Sequence, residues 1–148
     1  MKKLNVLVVS PPGTWQRLLQ MSLEAHSFVK AVNVASGSLS ASQLAIEHRP
    51  DLIVIDSSVP FDDMLVLIRK VKAENQGMKS LVITDTTQQK RKVLQAGADY
   101  TVSAYDFESH IGELLNQVRN SLTAVKKKRD TAVQTDAVSS ESWIWPIR

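Results

Sequence analysis

Hydrophobic positions along the chain alternate between two habits. Apolar runs rich in β-branched residues occur at Leu4–Val9, Phe28–Val34, Leu52–Ile55, Ser80–Thr84 and Tyr100–Ser103. Runs of this length with little polar alternation predict strands buried on both faces of a parallel sheet. Between them, apolar residues recur at helical spacing. The first set is Trp15, Leu18, Leu19, Leu23 and His26, with Met21 at its margin, and the second is Ala41, Leu44, Ala45 and Ile46. Met64, Leu65, Leu67, Ile68 and Val71 form a third, Val93 and Leu94 a short fourth. From Asp106 onward Phe107, Ile111, Leu114, Leu115, Val118 and Leu122 share one face. Each set predicts a helix with one stripe turned inward. Thr14 is the expected cap of the first helix and Gly97 the stop of the fourth, while Asn75–Gly77 is the end of the third.

Five strands alternating with five helices predict an α/β fold, a doubly wound five-stranded parallel sheet of flavodoxin-like order. Strand three anchors the reading, because an acid, Asp56, ends its apolar run and Pro50 and Pro60 bracket it. Open α/β sheets hold ligands beyond the carboxyl ends of their central strands. That rule gathers Ser10, Pro11, Asp56, Thr84 and Ala104 around one shallow pocket. Asp56 is expected to hydrogen-bond Thr84 or loop amides and to serve structure.

Composition narrows the chemistry. The 148 residues contain no cysteine, which excludes disulfides and thiolate sites. Lys2 and Lys3 before an apolar run resemble a leader peptide only superficially, since Pro11 and Pro12 end the run early. No stretch approaches a membrane span, so a cytoplasmic location is expected. Thirteen Lys/Arg face twelve Asp/Glu through residue 124, and five face three beyond it. A nearly neutral domain gives no electrostatic footprint for nucleic acid, and no direct contact with it is expected. The dinucleotide and P-loop signatures are missing, and His26, His48 and His110 are scattered. No enzymatic activity is expected.

The run Glu47-His48-Arg49-Pro50-Asp51-Leu52-Ile53-Val54-Ile55-Asp56, with Pro60 after it and Ala96-Gly97-Ala98-Asp99 further on, resembles response-regulator receiver domains over about residues 3–124. The resemblance implies signal transduction within a two-component system. It also implies a phosphoacceptor role for Asp56 and a hydroxyl partner in Thr84. Two departures bear on that role. Where the family carries an acidic pair that helps hold Mg²⁺, this chain has Ser10 and Pro11. Where the family carries a lysine, it has Ala104. Mg²⁺ prefers carboxylates and water, and phosphoryl transfer needs its charge neutralised. The expectation is therefore a single-domain pseudo-receiver that acts by protein–protein interaction, with no cofactor and with Mg²⁺ poorly held. Residual phosphorylation at Asp56 and an adaptor role in a pilus or secretion assembly system are the alternatives.

Residues 125–148 predict a basic, Ser/Thr-rich linker and a tail. Trp143, Ile144 and Trp145 are an anchor of the kind that protein contacts favour. Partners are expected at the face of helix four, strand five and helix five and through this tail, with homodimerisation left open.

Overall fold

In the computed structural model, which describes residues 3–74 and 77–122, the five predicted strands form one parallel sheet ordered β2-β1-β3-β4-β5. They are β1 (Leu4–Val9), β2 (Val29–Ala35), β3 (Leu52–Ile55), β4 (Lys79–Thr84) and β5 (Tyr100–Ser103). The helices are α1 (Thr14–Glu24), α2 (Ser38–His48), α3 (Phe61–Glu74), α4 (Thr87–Ala96) and α5 (107–122). The tail, with its anchor at Trp143, Ile144 and Trp145, lies outside the described residues.

The sheet is central because its inner strands bury both faces. Every residue of β3 is fully buried, and β3 pairs with β1 on one side and β4 on the other. Alternate residues then feed two separate cores. Leu7, Val9, Ile53, Ile55 and Val82 pack with α2, α3 and α4, through Ala41, Met64, Leu67, Ile68, Val71 and Val93. Val6, Val8, Leu52, Val54, Leu81 and Ile83 pack with α1 and α5, through Leu19, Leu23, Phe107, Ile111, Leu115 and Val118. Burial of this kind is worth about 1.5–3 kcal/mol per large side chain. It explains why the apolar runs of β1, β3 and β4 show so little alternation.

Several sequence expectations shift. The helical stripes are narrower than predicted, since Leu18 is 48% exposed, Ile46 63% and Leu94 44%. Each of them flanks its stripe, whereas Leu19, Ala41 and Val93 sit at its centre and are buried. Thr14 is the first residue of α1 and Gly13 the N-cap, without a side-chain cap bond. Thr86 caps α4 instead, its hydroxyl accepting the Gln89 amide at 3.1 Å. Gly97 ends α4 in the left-handed region, as a helix C-terminus favours.

One non-glycine residue among those described has positive φ: Arg49, which ends α2 at φ 44°. The left-handed region costs an L-residue about 1–2 kcal/mol, and a following proline already disfavours the helical region. Arg49 precedes Pro50, so the local backbone is held there by its surroundings.

Candidate functional site: a sealed carboxylate at the end of β3

Strand β3 delivers Asp56 to the carboxyl edge of the sheet, beside the end of β1. The Asp56 amide donates to the Val9 carbonyl at 3.0 Å, and the Ser10 amide to Ala35 at 3.0 Å. These bonds extend the ladders by one residue and fix both side chains. Asp56 has no exposed surface, Ser10 is 1% exposed and Thr84 4% exposed.

Both carboxylate oxygens are occupied. The Ser10 hydroxyl donates to Oδ2 at 3.0 Å. The Trp15 indole Nε1–H donates to Oδ1 at 2.7 Å, a short bond to a charged acceptor. Ser57 Oγ lies 3.5 Å from Oδ1 and adds little. No cation is paired with Asp56 in these contacts.

The loop before α1 makes this closure. Gln16 Nε2 donates to the Ser10 carbonyl at 2.7 Å, tying the first turn of α1 back onto the end of β1. Gly13 turns the chain at φ 148°, ψ −173°, a region open in practice to glycine alone. The half-buried Trp15 is thereby laid across Asp56. A Cβ on Gly13 would meet nothing within 4 Å, so substitution there tests the backbone alone. Gly13→Ala is expected to lower stability by about 1–3 kcal/mol and to shift the Trp15 indole resonance in a two-dimensional amide spectrum. An unchanged indole position would separate the turn from the closure.

The expected shallow pocket is thus corrected in shape: Asp56 is covered rather than open to solvent. Its donors are also corrected, being the Ser10 and Trp15 side chains rather than Thr84 or loop amides. Pro11 follows Ser10, and its carbonyl lies 3.4 Å from the Ser10 hydroxyl. That contact is longer than the one to Asp56, which takes the hydroxyl proton. Ala104 lies beside Thr84, its amide directed at the Thr84 carbonyl at 3.4 Å. A separate, solvent-facing cleft of about 370 Å³ opens past Thr84, between α4, β5 and α5, and includes Lys90, Thr101, Ser103, Asp106 and His110.

Trp15 is the residue that sequence reasoning missed. It sits in register with Leu19 and Leu23 and reads as one more apolar contact of α1. A signal existed, since a buried indole N–H needs an acceptor and Asp56 was an acid short of partners.

No protein-family model matches the chain. A protein named probable C4-dicarboxylate response regulator DctR, from Priestia megaterium, is 28% identical over 86% of this chain and 57% of its own length. The virulence transcriptional regulatory protein PhoP of Shigella flexneri is 27% identical over 80% of this chain and 53% of its own. The chain spans about half the length of these curated relatives. Among solved structures, the signal receiver domain of NarL from Mycobacterium tuberculosis superposes with a TM-score of 0.71. It covers 80% of this chain and 98% of its own at 20% identity, a likeness of fold. The chain is thus similar in sequence to proteins named as response and transcriptional regulators, on a fold that a solved signal receiver domain shares.

Proposed function

We propose that this chain is an atypical receiver that signals through protein–protein contact without phosphorylation of Asp56. The complete burial of Asp56 beneath Trp15, with both oxygens already hydrogen-bonded, carries this reading. An acceptor must meet the phosphoryl donor in line with the bond that breaks, and here the indole stands on the carboxylate.

The donor set also suits Mg²⁺ poorly. That ion takes hard oxygen ligands in a near-octahedral shell, through one or two carboxylates and several waters. Ser10 spends its proton on Asp56, and Pro11, which follows it, has no side-chain oxygen. Among the described residues no cluster of three or more His, Asp or Glu offers an alternative. Ala104 supplies no ammonium for developing charge.

Two surfaces are assigned to partners. One is the face of α4, β5 and α5, where Tyr105 is 99% exposed and Leu94 44% exposed. The other is the tail with Trp143, Ile144 and Trp145, which lies outside the described residues. Among the described residues no helix is long and apolar enough to cross a membrane.

Asp56→Asn separates this reading from a phospho-switch. The amide keeps an oxygen for Trp15 and offers its NH₂ to Ser10, but cannot accept a phosphoryl group. In cells lacking the gene, this variant is expected to restore the wild-type phenotype in full. Failure to do so, with normal protein levels, would mean that Asp56 is phosphorylated in signalling.

A further inference from the structure

The opposite end of the sheet carries a second concavity. A cleft of about 400 Å³ lies between α2 and α3, near the Arg49 cap of α2, Glu74 of α3 and Met78, which precedes β4. It is far along the fold from Asp56, which follows the carboxyl end of β3. Its volume falls within the usual range of small-molecule sites, about 300–1,000 Å³.

The lining divides into two parts. Leu67, Val71 and Met78 are buried and form an apolar floor, backed by Ala45. Arg49 and Lys70 stand exposed at the rim with Glu74, so the lining carries two cations against one anion. Among the described residues, none of these three side chains is engaged in an ion pair or hydrogen bond. Arg49 also occupies the strained left-handed position that glycine would fill more cheaply. An apolar hollow under two unengaged cations selects a molecule with an apolar body and an anionic end, and a guanidinium matches a carboxylate in shape.

We propose that the α2–α3 cleft is a binding site for a small apolar carboxylate, its ring or branched body on Leu67, Val71 and Met78 and its carboxylate between Arg49 and Lys70. This site is independent of the closure at Asp56 and would stand if that reading failed.

The test is a titration of the ¹⁵N-labelled full chain with naphthaleneacetate, followed through its backbone amides. Saturable shifts confined to Ser42–Arg49 and Leu67–Met78 are expected, with a Kd at or below about 1 mM. Naphthylmethylamine, which carries the same ring on a cation, is expected to bind at least tenfold more weakly, as expected from losing one charge-assisted bond. Arg49→Gly suits the backbone at this position and keeps the fold, so its expected tenfold loss of naphthaleneacetate affinity reports the guanidinium itself. Lys70→Gln is expected to weaken binding in the same direction. Equal affinity for the two naphthyl probes, shifts centred elsewhere, or no shift at all would each overturn the proposal.

Discussion

Replacing Asp56 with alanine is expected to destabilise the protein by about 3 kcal/mol, a fall in Tm of roughly 10 °C for a domain of this size. The substitution would leave two donors, Trp15 Nε1–H and Ser10 Oγ–H, facing an empty volume in a place with no solvent. Each orphaned donor costs about 1–3 kcal/mol, and the cavity adds to it. The sign of the effect is the informative part. In a site crowded with acids, removing one carboxylate relieves repulsion, and stability rises. Among the described residues the side-chain hydrogen-bond partners of Asp56 are Ser10, Trp15 and Ser57, all donors, so stability should fall. Asp56→Asn should cost only about 1 kcal/mol, because its oxygen and NH₂ can satisfy the same two partners. Urea denaturation of the three proteins checks the order. An alanine variant as stable as wild type would mean that the bonds to Ser10 and Trp15 contribute nothing.

Acetyl phosphate with Mg²⁺ is expected to leave Asp56 unmodified, the second large effect. A receiver gains its self-phosphorylation rate from a metal and a cation set against the charge of the transferring group. Removing one such electrostatic contact typically costs about 10²–10³ in rate, and two are missing here, which implies a loss of about 10⁴–10⁶. The covering indole adds to this. Trp15→Ala alone is therefore expected to open Asp56 without restoring transfer, since the charge deficit persists. Combining it with Ser10→Asp, Pro11→Asp and Ala104→Lys should produce measurable phosphorylation by intact mass. Efficient labelling of the wild-type chain would rule out the account of the charge deficit.

The fold was legible because its evidence lies in local patterns. The uninterrupted runs at Leu52–Ile55 and Leu4–Val9 could be satisfied only by strands covered on both faces, and the intervening stripes supplied the covers. Where the reading slipped, neighbours decided. Leu18, Ile46 and Leu94 carry apolar side chains at helical spacing yet sit at the edges of their stripes, where they are only partly covered. The candidate site was legible as a set of absences: the acid at Asp56, with Ser10, Pro11 and Ala104 where charged groups are expected by resemblance. What filled the gap was not. A Trp15–Asp56 bond joins residues 41 apart in sequence and depends on a glycine turn whose angle no residue list contains. The same holds for the cleft between α2 and α3, since Arg49 and Lys70 become neighbours only once two helices share one face of the sheet.

The indole N–H resonance of Trp15 reports the closure of Asp56 directly. In a titration with Mg²⁺ and beryllofluoride, which mimics a phosphoryl group on an aspartate, that resonance should stay at its starting position throughout. Saturable movement of it, together with the amides around Asp56, would show that the carboxylate exchanges its indole partner for a metal-bound anion, and that this chain is a working phospho-switch.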